Sequence, residues 1–124
     1  VALIVNDDPL MADLIADLVQ GAGYAVMVGH SGLVALALAK EQRPDVLITD
    51  LYMPDLDGAG LIAALRESGG PRVPTILITG SSRTISHLKM ADAVLKKPFS
   101  VVALVAALAL LSPLDHTDHD AALV

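Results

Sequence analysis

The sequence contains no cysteine and no tryptophan, and only two tyrosines and one phenylalanine. Without cysteine there is neither a disulfide nor a thiolate metal site, and the lack of disulfides fits a reducing compartment. Aromatics make up 2% of the chain against 54% apolar residues overall, so the core has to be built from Leu, Val, Ile and Ala. Positive charge is scarce as well: 8 Lys and Arg stand against 14 Asp and Glu, a net charge of -6 with no basic stripe. That balance argues against nucleic-acid binding by this domain. The longest uninterrupted apolar run, Val101 to Leu111, is about half of the ~20 residues a membrane span needs, so no membrane association is expected. The opening run Val1-Ala2-Leu3-Ile4-Val5 has no basic leader, so no signal peptide is recognisable. What remains is an acidic single domain of 124 residues, large enough for a real core and expected in the cytoplasm.

The apolar pattern alternates between short continuous runs and helical periodicity. Val1 to Val5 reads as a buried strand closed by Asn6-Asp7-Asp8-Pro9. Pro9 suits a first helical turn, with an acidic residue before it to cap free N–H groups. Leu10, Leu14, Ile15, Leu18 and Val19 recur at helical spacing until Gly21-Ala22-Gly23. Tyr24 to Val28 is a second strand. Ser31 caps a helix from Gly32 to about Gln42, which Pro44 stops. Val46 to Asp50 is a third strand, and its continuous apolar character fits burial on both faces of a parallel sheet. A helix from about Ala59 to Glu67 follows Asp57-Gly58. Thr75 to Thr79 and Ala93 to Lys96 are the fourth and fifth strands, and Ser100 to Leu111 is the last helix. Five alternations of strand and helix predict a doubly wound parallel sheet with helices on both faces.

In such a sheet the strand ends converge on one edge, where open α/β folds place their sites. The first strand ends at Asn6-Asp7-Asp8, the third at Asp50, the fourth at Thr79 and the fifth at Lys97. Carboxylates brought together there repel each other unless a cation lies between them, and a hard, oxygen-seeking ion such as Mg²⁺ is the natural choice. Lys97 adds a mobile positive charge and Thr79 a hydroxyl, a set suited to an oxyanion, most obviously a phosphoryl group carried on Asp50. Lys97-Pro98 is also a candidate cis bond that would hold the lysine in a fixed loop.

Four motifs, Val5-Asn6-Asp7-Asp8-Pro9, Asp50 through Gly58 (DLYMPDLDG), Ile78-Thr79-Gly80 and Lys97-Pro98-Phe99, appear in this order at predicted strand ends. With them the chain resembles the receiver domain of two-component response regulators, over nearly its whole length to about Leu111. The resemblance implies a flavodoxin-like five-stranded sheet in the order 2-1-3-4-5, with the receiver over residues 1–112; the tail over 113–124 has no periodicity and is expected to be flexible. It implies Asp50 as the phosphoacceptor, with Asp7 and Asp50 as direct Mg²⁺ ligands and the backbone carbonyl of Tyr52 as a third. Asn6 or Asp8 would add a contact through water. Thr79 would bond a phosphoryl oxygen, and Lys97 would pair with the phosphoryl group. The implied donor is a phosphohistidine on a sensor histidine kinase or phosphotransfer protein, and the domain would accept this group without being a turnover enzyme. The added charge would draw Thr79 inward and repack the neighbouring face.

The sequence departs from the family pattern in four places. Asn6 stands where the family usually has the first acid of a pair, which predicts weaker Mg²⁺ binding with Asp7 carrying direct ligation. Val94 stands where an aromatic residue usually swings with the threonine; a β-branched side chain has one stiff rotamer and cannot make that movement. The stretch between Thr79 and Lys97 leaves room for only about two turns over Arg83 to Met90, and its Ser and β-branched residues weaken even those. A short or irregular fourth helix is therefore expected. The last helix has no polar face in sequence, so it is either buried all round or packed on a partner. Since the family often dimerises through its fourth and fifth helices, a homodimer through Val101 to Leu111 is expected, with a tail folded back over it as the alternative. Two other functions compete: a degenerate receiver that binds partners without phosphorylation, suggested by Asn6 and Val94, and a Mg²⁺-dependent phosphohydrolase. The second typically needs an acid two residues after its nucleophile, where this chain has Tyr52. His116 and His119 among the tail acids form a weak candidate metal cluster in what reads as a disordered polar terminus.

Overall fold

The computed structural model describes residues 1–80 and 91–111. Within them lie β1 (Ala2–Val5), α1 (Pro9–Gly21), β2 (Val26–Gly29), α2 (Gly32–Glu41), β3 (Val46–Asp50), α3 (Gly58–Glu67), β4 (Thr75–Thr79), β5 (Ala93–Lys96) and α4 (Val101–Leu111). The expected helix over 83–90 and the tail over 113–124, with its histidines, lie outside the described residues.

Local chemistry starts each helix within one residue of where the sequence predicts. The Asp8 carboxylate accepts the Leu10 N–H at 3.0 Å ahead of Pro9. Ser31 Oγ accepts from Val34 N–H at 3.1 Å, and Asp57 Oδ1 accepts from Gly60 N–H at 2.8 Å. Ser100 Oγ accepts from Ala103 N–H at 3.0 Å, so Ser100 caps α4 rather than opening it. Such caps stabilise a helix by about 1 kcal/mol each. The second strand begins at Val26, two residues later than its apolar run suggests. Gly23, at φ 103°, turns the chain out of α1, and Tyr24 is spent as a buried packing residue before the ladder begins.

The five strands pair in parallel in the order β2-β1-β3-β4-β5. Side-chain alternation along them divides the core in two. Ala2, Ile4, Val46, Ile48, Ile76 and Ile78 face α1 and α4, where Ile15, Val19, Leu104 and Leu108 meet them. Leu3, Val5, Leu47 and Leu77 face α2 and α3, where Ala35, Ala39, Leu61 and Leu65 meet them. With β1, β3 and β4 covered on both faces, their continuous apolar runs follow directly.

The last helix is not buried all round. Leu104, Ala107 and Leu108 are buried against the sheet, whereas Val102 and Leu110 are 77% and 79% exposed. A stripe of one helix face is enough to reach the core, so an all-apolar helix on a sheet surface leaves its other face outward. Among the described residues no helix is long and apolar enough to cross a membrane.

Candidate functional site

The C-terminal ends of β1, β3, β4 and β5 bring the predicted residues to one edge. Asp50 closes β3 and is only 7% exposed. Lys97 Nζ lies 3.0 Å from its Oδ1 and 3.1 Å from its Oδ2, so one ammonium spans both carboxylate oxygens. Lys97 itself stays 37% exposed, which leaves it access to a second anion. Its backbone is held by donating N–H to Thr79 O at 2.9 Å, and the Lys97–Pro98 peptide bond is cis, as the sequence suggested. Thr79 closes β4 and is buried.

Beyond Asp50 the chain makes a short excursion and returns: Leu51 N–H bonds Ile78 O at 2.9 Å, and Gly58 N–H bonds Leu51 O at 2.8 Å. The loop between them, Tyr52 to Asp57, overhangs the strand end, with Asp55 in the left-handed region at φ 69°. Two glycines allow this path. A Cβ on Gly58 would stand 2.4 Å from Asp50 O, and one on Gly32 would stand 1.9 Å from Leu56 O. The sequence marks Gly58 as a turn residue and Gly32 as a helix start, but neither close approach is visible in it, because the facing atom comes from another element.

On β1, Asn6 is 1% exposed while Asp7 and Asp8 are exposed. Asn6 Oδ1 accepts the Asp8 N–H at 3.0 Å, and Nδ2 is buried without a hydrogen-bond partner among the described residues. An unsatisfied buried donor costs about 1–3 kcal/mol. The exposed ring of His30, at the end of β2, donates from Nδ1 to Asn6 O at 3.2 Å, a contact absent from the sequence reading. Among the described residues no three His, Cys, Asp or Glu side chains gather into a metal cluster. Mg²⁺ does not need one, because it binds through one or two carboxylates, carbonyls and waters. Asp7, Asp50 and the Tyr52 carbonyl are hard oxygen donors on adjoining segments, so their chemistry fits that ion. The free group of Asn6 is an N–H donor and offers a cation nothing.

A family model described as the response regulator receiver domain matches residues 2–109. The chain belongs to the response regulator receiver domain family. The receiver is 31% identical over 103 residues to the probable transcriptional regulatory protein TcrX of Mycobacterium tuberculosis, covering 80% of this chain and 44% of that protein. It is 32% identical to the DNA-binding response regulator MtrA of Mycolicibacterium smegmatis, covering 84% of this chain and 46% of that protein. The receiver thus spans less than half the length of these curated relatives. Among solved structures it resembles the chemotaxis protein CheY4 of Vibrio cholerae, with TM-score 0.80, 30% identity, and 89% and 96% of the two chains covered. The receiver domain of NtrX from Brucella abortus shares the fold at TM-score 0.82 and 22% identity, covering 90% of this chain and 97% of that one.

Proposed function

We propose that this receiver accepts a phosphoryl group on Asp50 from a phosphohistidine of a sensor kinase or phosphotransfer protein. The observation that carries the reading is the contact of Lys97 Nζ with both oxygens of a largely buried Asp50. In the transfer, a carboxylate oxygen of Asp50 forms the new P–O bond while the P–N bond breaks and its electron pair stays on the donor imidazole. Such transfers need positioning and charge neutralisation more than covalent help from the acceptor. Lys97 neutralises the oxygens as they approach, and Thr79 at the neighbouring strand end bonds one of them once the group is in place. Asp7, Asp50 and the Tyr52 carbonyl would hold Mg²⁺, with Asp8 contributing through water, and the ion would supply further charge neutralisation.

The donor reaches this edge beside a largely apolar groove of about 350 Å³ lined by Met11, Leu14, Leu18, Lys97, Pro98 and Phe99, which suits the apolar side of a partner helix. The domain acts in the cytoplasm as a phosphorylated switch rather than a turnover enzyme, and a homodimer through the outward face of α4 is its proposed output contact. Asn6 favours one other reading, a degenerate receiver that binds partners unphosphorylated.

Incubation with acetyl phosphate and Mg²⁺, followed by intact mass, separates the two. The native chain is expected to gain one phosphoryl group, and Asp50→Asn none. Absence of an adduct on the native chain, under conditions that label Asn6→Asp, establishes the degenerate reading instead.

A further inference from the structure

Asn6 holds a hydrogen-bond donor that no group among the described residues uses. Its Oδ1 accepts from the Asp8 N–H at 3.0 Å. A backbone N–H only donates, so this contact fixes which end of the amide is oxygen. Nδ2 is the end left over, buried and without a partner, in a residue 1% exposed.

Its position follows from the sheet. Val5 pairs with Thr49, so Asn6 and Asp50, the next residue on each segment, come side by side, while on its other edge the Asn6 N–H bonds Gly29 O at 3.1 Å. Ile4 and Ile48 lie on one face while Leu3, Val5 and Leu47 lie on the other. Alternation therefore puts the Asn6 and Asp50 side chains on the same face. Both oxygens of Asp50 are engaged by Lys97. A buried donor with no acceptor in hydrogen-bond reach among the described residues thus stands beside a carboxylate already held by an ammonium. The group that brings acceptors to this spot is an oxyanion carried on that carboxylate.

We propose that Asn6 Nδ2 is a binding group for the phosphoryl moiety on Asp50, donating a hydrogen bond to one of its oxygens. The proposal rests on the phosphoacceptor reading. It gives Asn6 a role opposite in sign to that of an acid at the same place: a carboxylate there attracts the cation, whereas the amide holds the anion directly. The site accordingly holds its phosphoryl group with less demand on Mg²⁺ than an Asn6→Asp variant does.

The chain makes this measurable. Asn6 is its only asparagine, and Gln20 and Gln42 are its only glutamines, so the ¹⁵N-labelled full chain shows three side-chain amide pairs. Beryllium fluoride with saturating Mg²⁺ serves as the phosphoryl mimic. The Asn6 pair is expected to move downfield, with its exchange with water slowed at least about tenfold, while both glutamine pairs stay put. Backbone amides around Asp50 that shift while the Asn6 pair does not would overturn the proposal and leave the phosphoacceptor reading standing; a spectrum with no shift at all removes both. The second arm compares affinity for the mimic across a Mg²⁺ titration that ends at saturation. Asn6→Ala loses donor and acceptor, whereas Asn6→Asp keeps the acceptor for Asp8 N–H. With both variants matching the native melting temperature, the expected result is about tenfold weaker binding by Asn6→Ala and a steeper Mg²⁺ dependence for Asn6→Asp. Native-like affinity in Asn6→Ala refutes the role.

Discussion

The backbone carbonyl oxygen of Asp50 lies 2.4 Å from where a β-carbon on Gly58 would sit, so the residue that ends the loop after Asp50 has no room for any side chain. The obstacle is backbone, with Leu51 Cα also only 3.0 Å away, and no side-chain rotation relieves it. Gly58→Ala is expected to destabilise the fold by about 1–3 kcal/mol, as overpacking does in a rigid surrounding. Urea denaturation followed by circular dichroism measures this; an unchanged midpoint contradicts it.

Gly32 makes the same kind of contact from another element, with its missing β-carbon 1.9 Å from Leu56 O. Gly32→Ala must push the Tyr52 to Asp57 loop outward, and with it the Tyr52 carbonyl. Mg²⁺ affinity is expected to fall about tenfold, the usual size of a disturbed supporting contact at a metal site. Gly21→Ala is the control, because nothing lies within 4 Å of its β-carbon position and its φ is not positive. It is expected to stabilise the protein by about 0.4–1 kcal/mol through the unfolded state. Calorimetric Mg²⁺ titration and thermal melts of the two variants check both statements.

Removing the ammonium from Asp50 affects both chemistry and stability. Lys97→Met is expected to slow labelling by acetyl phosphate about 10²-fold, the scale of a lost oxyanion partner. Stability is expected to fall by about 1–3 kcal/mol, since the carboxylate left behind is largely buried and loses its ammonium. A time course of intact mass beside a melting curve reads both, and native-like labelling contradicts the role of Lys97.

For the α4 dimer the buried and outward positions give opposite expectations. Leu104 is fully buried, which makes Leu104→Glu a test of folding and not of association. Leu110, at 79% exposed, is the informative position. Light scattering of the native chain is expected to show a concentration-dependent dimer, and Leu110→Glu a folded monomer. A native chain that stays monomeric at high concentration removes the dimer.

Much of the fold was legible because its signals are local. The uninterrupted runs of β1, β3 and β4 are long enough for strands and too short for helices, and Asp8, Ser31 and Asp57 announce the helices they cap. The meeting of Asp50 and Lys97 was legible for a related reason: each follows directly on a strand, and a parallel sheet brings such ends to one edge. The start of β2 was less so, because Tyr24 has strand propensity and yet its burial against the core outweighs pairing. The outward face of α4 was not legible at all. An eleven-residue apolar helix carries no periodicity to say which side meets the sheet, and only the register of Leu104, Ala107 and Leu108 against β-strand isoleucines decides it.

The sequence by itself determined the order of elements, the parallel architecture and which side chains stand at the strand ends, since these depend on periodicity and on what precedes each turn. Tertiary structure alone decided which atoms those side chains meet. The 3.0 Å approach of Lys97 to Asp50, the closeness that forbids a side chain at Gly32 and Gly58, and the unpartnered amide of Asn6 all involve atoms from different strands and loops. Burial and partnership belong to pairs of segments, and no single stretch of the chain encodes them.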